Sequence, residues 1–172
     1  EAQGAAKGGK SELLCFSFYK NKIIPGEEGG IVCTNNKQLY ELIKDLKNMS
    51  FGEKHDYFHK RIGYNYRITE TSASIALGNL KKYSHIVKAR REKEDEFNKT
   101  FATPKRDAVW VYDMIFDTTK QRDDMFAYCN SLGLNPRLFF KPLSTMPMWR
   151  QEVGNKALDF SKRGFYIPID LS

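Results

Sequence analysis

The sequence predicts an α/β protein, on three observations. Short apolar runs rich in Phe, Ile and Val occur at residues 13–18, 30–34 and 108–116, each too short for a typical helix. Between them lie longer stretches with apolar residues at helical spacing, as in Leu39, Leu42, Ile43 and Leu46. Strand-like and helix-like stretches then alternate to the end of the 172 residues, the order expected where helices cover a sheet.

Residues 13–18 read as a buried strand and residues 30–34 as a second, joined by a turn containing Pro25, Gly26, Gly29 and Gly30. Asn35 or Asn36 can cap a helix running to about Lys47, because a short side-chain carbonyl satisfies the first free amides of a helix. Residues 48–62 turn polar and aromatic, with Phe51, His55, Tyr57, Phe58 and His59. A connection of that length is unusual in a compact domain and is often functional. Thr69 is expected to start one continuous helix to about Asn98, with Ala73, Ala76, Leu77, Leu80, Tyr83 and Val87 at helical spacing. The small side chains at Ala73, Ala76 and Gly78 permit close packing on that face.

Pro104 and its charged neighbours mark a boundary. Beyond it the pattern gives a strand at 108–116, a helix at 119–132 and an extended aromatic run at 137–140 with Phe139 and Phe140 in the core. A helix ending near Lys162 and a strand at 165–167 follow, with Met146, Met148 and Trp149 packing this part of the chain. Alternating elements after a long helix read as a small α/β domain appended to a larger one. Neither an internal repeat nor a low-complexity tract occurs.

Formal charge is +7, which raises nucleic acid as a partner. The cations are interleaved with acids, as in Lys88-Ala89-Arg90-Arg91-Glu92-Lys93-Glu94, a pattern typical of a salt-bridged helix face. No zinc-ligand spacing or nucleic-acid module accompanies them, so nucleic acid is not expected and no metal site is expected. Cys15, Cys33 and Cys129 are widely spaced and odd in number. Cys15 and Cys33 fall in strand-like runs where a free thiol acts as a small hydrophobe, which suits a reducing cytoplasm. No apolar stretch reaches the roughly 18 residues of a membrane span, so no membrane association is expected.

The residues most informative about function lie in the run from Cys15 to Gly30. Ser17 and Lys22 sit five positions apart, directly after an apolar strand and before a glycine-rich turn. A lysine whose ammonium is pushed toward neutrality becomes a nucleophile, and its characteristic use is a Schiff base with a carbonyl compound or pyridoxal phosphate. A nearby serine hydroxyl can bind that cofactor's phosphate. Lys20 competes with Lys22, because residues two apart in an extended segment point the same way. On residue type alone, a lysine in Lys20-Asn21-Lys22 also fits a solvated loop.

This run resembles the lysine segment of the DegT/DnrJ/EryC1/StrS sugar aminotransferases: Phe16-Ser17-Phe18, a short spacer, Lys22, then Glu28-Gly29-Gly30. Gly63-Tyr64-Asn65-Tyr66-Arg67-Ile68-Thr69 is similar to a second signature of that family, and residues 136–144, from Pro136-Arg137 to Leu143-Ser144, to a third. The second half of the lysine turn departs from the pattern, with Pro25-Gly26-Glu27 in place of the commoner Thr-Thr-Gly.

The resemblance implies the aspartate aminotransferase-like fold, type I of the pyridoxal phosphate-dependent transferases. It implies that residues 1–100 are the C-terminal part of a cofactor-binding large domain with a linking helix. Residues 101–172 would be a small C-terminal α/β domain lacking its last helix. Family enzymes are about twice this length, so the chain, which opens on Glu1, is expected to be their C-terminal half and inactive alone.

The implied cofactor is pyridoxal 5'-phosphate, on Lys22 as catalytic residue, with Ser17 on its phosphate and Glu1 near its ring. Asn65 would reach the phosphate in the partner subunit of a homodimer with shared sites, and Arg67 would assist that contact. Tyr57, His59 and Arg137 would line a site for a nucleotide-linked keto sugar, with an amino acid, glutamate, as donor. Pro142-Leu143-Ser144-Thr145-Met146-Pro147-Met148-Trp149 looks most like perosamine synthases, which aminate a 4-keto-6-deoxy sugar. Lysine, where related dehydratases carry histidine, favours amino transfer. Two alternatives stand beside this reading: a catalytically inactive or split homologue acting as an interaction subunit, and a basic nucleic-acid-binding module.

Overall fold

In the computed structural model, which describes residues 11–52, 57–149 and 156–169, the first element is an antiparallel hairpin. Strand β1 (Leu14–Ser17) pairs with β2 (Gly30–Cys33), with Leu14 opposite Cys33 and Ser17 opposite Gly30. Both strands are shorter than their apolar runs suggest. Cys15 and Cys33 are exposed, contrary to the expectation of buried thiols, and the thiol that is buried is Cys129. The physical reason is that this ladder has two strands among the described residues, so much of its surface faces outward there.

Asn36 caps α1 (Lys37–Lys47), its side-chain carbonyl accepting the Gln38 and Leu39 amides at 2.9 and 3.2 Å. The last turn of α1 carries Lys44 and Lys47, where cations complement the helix dipole. The continuous helix expected from Thr69 is two helices: α2 (Glu70–Lys81), capped by Thr69, and α3 (Tyr83–Phe101). They part at Lys82, whose amide turns back to the Asn79 and Leu80 carbonyls instead of continuing the helical ladder. Ala76 is buried, as close packing requires, but nothing lies within 4 Å of where a side chain on Gly78 would begin. Gly78 therefore has no packing role among the described residues.

The chain divides into two compact units between Val87 and Lys88, within α3. In the second unit β3 (Val111–Ile115), β4 (Arg137–Leu138) and β5 (Gly164–Pro168) form an antiparallel sheet in the order β3-β5-β4. Helix α4 (Thr119–Ser131) opens with a reciprocal cap in which the Thr118 hydroxyl accepts the Gln121 amide and the Gln121 side chain accepts the Thr118 amide. Helix α5 (Lys156–Arg163) leads directly into β5. Tyr112, Met114, Cys129, Phe165 and Ile167 form the core together with Phe97 of α3. Burial raises the pKa of the Cys129 thiol and keeps it unreactive.

Beside this core a fully buried carboxylate, Glu94, accepts from Arg91 at 2.8 Å, from the Arg106 backbone amide at 3.0 Å and from the Arg106 guanidinium at 3.2 Å. Arg106 also pairs with Asp113 and stacks over the Tyr112 ring at 4.2 Å. Burial by itself pushes the Glu94 carboxyl up, but these donors outweigh it and hold the carboxyl below the ordinary glutamate value.

Two expectations for this unit are corrected. The aromatic run at 137–140 is a strand only at Arg137–Leu138, and Phe140 is exposed, stacked on Tyr166 at 5.7 Å, while Phe139 is partly buried. Met148 and Trp149 are exposed and pack no core. The helix expected to end near Lys162 is α5, which ends at Arg163. Pro142 and Pro147 interrupt the chain before it, leaving single 3-10 turns at Leu143–Thr145 and Pro147–Trp149. No helix among the described residues is long and apolar enough to cross a membrane.

Candidate active site

The hairpin connection carries Lys22 and is fixed by its own backbone. The Phe18 amide donates to Gly29 at 2.9 Å, Lys20 to Glu27 at 3.1 Å and Gly26 to Phe18 at 2.7 Å, so the ladder continues past the strands. At its tip the Lys22 amide donates to the Tyr19 carbonyl at 2.9 Å, forming a turn. The tip is therefore not extended, and the two lysines do not follow strand alternation: Lys22 is half-buried next to buried Ile23 and Ile24, while Lys20 is exposed. Ser17 is also half-buried, and its hydroxyl oxygen accepts the Tyr19 amide at 3.2 Å, which fixes the hydroxyl at the base of the lysine turn.

Two glycines seat this connection against the rest of the first unit. A side chain on Gly26 would start 3.0 Å from the Ala76 β-carbon and the Ser72 carbonyl of α2, so only glycine lets the turn lie this close to the helix. From α2, the Asn79 side chain donates to the Pro25 carbonyl at 2.8 Å. Gly29, at φ 110°, takes a conformation that other residues rarely adopt and packs on Ile68. The lysine segment and the Gly63–Thr69 signature, far apart in sequence, thus meet at Gly29 and Ile68.

That second signature is held to the end of α1. The Tyr64 and Tyr66 amides donate to Leu46 and Lys47 at 2.7 and 2.9 Å, and Asn48 bridges to Asn65. The Arg67 guanidinium donates to the Asn65 side-chain carbonyl at 3.0 Å and to that of Asn48 at 3.4 Å. With its oxygen taken, the Asn65 amide presents its NH2 as the remaining donor, which suits an anion. Asn48, missing from the sequence-predicted site, is the second amide on Arg67. An asparagine at a helix end reads as an ordinary cap, and only the fold brings it to Arg67.

The predicted substrate residues fall in different places. His59 packs on Phe51 with ring centres 4.9 Å apart, and its Nδ1 lies 2.8 Å from the Met49 carbonyl. A carbonyl only accepts, so Nδ1 carries the proton and Nε2 is left as an acceptor. Tyr57 is 75% exposed and meets Phe51 edge-on. Arg137 belongs to the second unit, exposed on β4 opposite Tyr166. Glu1 lies outside the described residues. No cluster of three potential metal ligands occurs among the described residues.

The chemistry of this donor set suits pyridoxal phosphate: an amine for its aldehyde, and hydroxyl, amide and guanidinium groups for its phosphate.

Comparison with known proteins places these residues in context. The model of the DegT/DnrJ/EryC1/StrS aminotransferase family matches residues 1–169. GDP-perosamine synthase of Escherichia coli O157:H7 is 29% identical over 98% of this chain and 50% of its own length. Among solved structures, Helicobacter pylori PseC, an aminotransferase of pseudoaminic acid biosynthesis, superposes with a TM-score of 0.81 at 22% identity, over 98% of this chain and 50% of that one. A Streptococcus pneumoniae sugar aminotransferase homologue, solved in PMP and PLP forms, superposes with TM-scores of 0.79 and 0.77 at 18% identity, covering 97% of this chain and 48% and 49% of those. The chain spans about half the length of the curated relatives it matches.

Proposed function

The chain belongs to the DegT/DnrJ/EryC1/StrS aminotransferase family, and from that premise we propose that the protein in its natural state is a pyridoxal 5'-phosphate-dependent, perosamine synthase-like aminotransferase. It moves an amino group from glutamate to a nucleotide-linked 4-keto-6-deoxy sugar. The observation that carries the reading is Lys22, half-buried at the tip of a connection clamped to α2 through Gly26 and Pro25. A lysine meant only for solvent needs no such seat.

When bound, the cofactor supplies an aldehyde that takes up the donor's amino group and a ring that spreads the electrons freed at the donor's α-carbon. The remaining roles belong to this chain. Lys22 Nζ takes the proton leaving the donor's α-carbon and returns a proton one step further on, the work of a general acid/base. The Ser17 hydroxyl, positioned by the Tyr19 amide, donates to the phosphate. The Asn65 NH2, oriented by Arg67, donates to the phosphate of a partner subunit in a homodimer with shared sites. His59 Nε2 accepts from a sugar hydroxyl, and Tyr57 and Arg137 are likewise assigned to the sugar-nucleotide substrate. Glu1 is assigned to the cofactor ring.

In this reading residues 1–100 contribute to a cofactor-binding large domain and residues 101–172 form a small one. Lys22, Ser17 and Asn65 serve the amine and phosphate ends of the cofactor, so the 172-residue chain by itself should hold it weakly and be inactive.

The test is chemical trapping in the protein isolated at its natural length. Borohydride reduction should fix the cofactor to the peptide containing Lys22, and Lys22→Ala should abolish both trapping and amination of GDP-4-keto-6-deoxymannose. Label on Lys20, or trapping unchanged in Lys22→Ala, would overturn the assignment. Amination that persists without trapping would overturn the reaction class.

A further inference from the structure

The peptide between Met49 and Ser50, in the first unit, is held at both ends and across one face. Its carbonyl, that of Met49, accepts from His59 Nδ1 at 2.8 Å, and its amide, that of Ser50, donates to the Asp45 carbonyl at 2.9 Å. Next to it, the Met49 amide donates to the Tyr64 carbonyl at 2.9 Å. Gly63 lies flat against the same peptide: a side chain there would begin 2.5 Å from the Met49 carbonyl carbon and from the Ser50 nitrogen and Oγ. Gly63 is not at positive φ, so its lack of a side chain provides space and not conformational freedom.

This arrangement is costly. Met49 and Ser50 lie at φ 62° and 51°, the left-handed region that residues with side chains rarely adopt and where a helix end normally places glycine. Ser50 is 2% exposed, and its hydroxyl has no hydrogen-bond partner among the described residues, whereas most buried hydroxyls have one. Tyr57, which shares the Phe51 ring with His59, lies at φ 63°. Strain gathered around one exposed imidazole, where glycine could relieve it, points to a geometry that is set for use.

We propose that Gly63 is a positioning residue for the substrate: by seating the Met49–Ser50 peptide, it keeps the proton of neutral His59 on Nδ1 and presents Nε2 as an acceptor. A histidine free in water favours the other tautomer, so this one requires a fixed acceptor at Nδ1. Nε2 then selects a group that donates, a sugar hydroxyl, over a keto or deoxy position. Selection of the sugar rests on the amination reading above; the tautomer does not.

NMR of the 15N-histidine-labelled protein at its natural length reads the tautomer, with the His59 signals identified by their loss in His59→Gln. With the ring neutral, the proton should sit on Nδ1 in the wild type and shift mostly to Nε2 in Gly63→Ala. KM for GDP-4-keto-6-deoxymannose should rise about tenfold in Gly63→Ala, the worth of one hydrogen bond, with kcat little changed. Should Gly63→Ala fail to fold, Gly63→Ala with Ser50→Gly takes its place: the contact with Oγ is gone, those with the peptide remain, and the same shift is expected. Met49→Gly with Ser50→Gly keeps the conformation without its strain and should leave tautomer and KM as in the wild type. A wild-type ring protonated on Nε2, a tautomer unmoved by the alanine, or one lost in the double glycine variant would overturn the positioning role. A shifted tautomer with unchanged KM would remove His59 from the sugar site. A tautomer that behaves as expected in a protein that neither traps cofactor nor aminates the sugar would sink the amination reading and leave the positioning of His59 standing.

Discussion

Gly26→Ala tests whether seating the lysine turn on α2 matters. The new methyl group would lie 3.0 Å from the Ala76 β-carbon, 3.0 Å from the Ser72 carbonyl oxygen and 3.1 Å from the Phe18 β-carbon. Attractive contacts between carbon atoms lie at roughly 3.5–4.0 Å, and none of these three atoms can rotate away. The turn must therefore retreat from the helix, weakening the Asn79 bond to Pro25. Overpacking of this kind costs about 1–3 kcal/mol. The smaller entropy of the unfolded alanine chain returns roughly 0.4–1 kcal/mol, leaving a net loss of about 1–2 kcal/mol. Native-state hydrogen exchange reads this loss locally. The Gly26 amide, bonded to the Phe18 carbonyl at 2.7 Å, should exchange about 5–30-fold faster. Adding Ala76→Gly removes one of the three clashes and should recover part of the loss beyond additivity, about 0.5–1 kcal/mol of coupling. An exchange rate within twofold of wild type, or strict additivity of the two changes, would refute the reasoning.

Three further outcomes follow from the geometry. Glu94→Gln should cost about 3 kcal/mol at neutral pH by leaving Arg91 and Arg106 without their buried carboxylate, as measured by urea unfolding. Because the folded carboxyl lies below its ordinary value, its contribution is fully present above about pH 4.3 and is lost as pH falls through the folded value; the gap between wild type and variant should narrow below that pH, and a constant gap would contradict the assignment. If Asn65 serves the partner subunit's site as proposed, mixing an Asn65→Ala subunit with a Lys22→Ala subunit should restore part of the activity, because one site of the hybrid would carry both lesions and the other neither. No recovery in proven heterodimers would place Asn65 in its own subunit's site. Thr118→Ala, which removes one half of the α4 cap, should lower stability by about 1 kcal/mol without altering trapping at Lys22, and a shift in trapping would show that the two units are coupled.

The sequence by itself determined what is local. Asn36 and Thr69 announce their helices because a cap is a contact between a residue and the next three. The lysine and Gly63–Thr69 segments carry enough pattern to resemble one family, and the match over residues 1–169 agrees. What depends on distant contacts was decided only by the tertiary structure. The break at Lys82 has no proline to signal it, and a continuous apolar pattern runs across it. Exposure of Cys15 and Cys33 reverses the expectation because strand residues are buried only where a second layer covers them. Within the candidate site, the motif spacing singles out Lys22 over Lys20, and the turn at Tyr19 adds that Lys22 is half-buried while Lys20 is exposed. The pairing of Arg67 with Asn48 as well as Asn65 joins positions 19 residues apart, and the seat of Gly26 on Ala76 joins two segments whose sequences contain no sign of each other. Composition and periodicity record what a residue prefers, while its neighbours across the fold are fixed only when the whole chain packs.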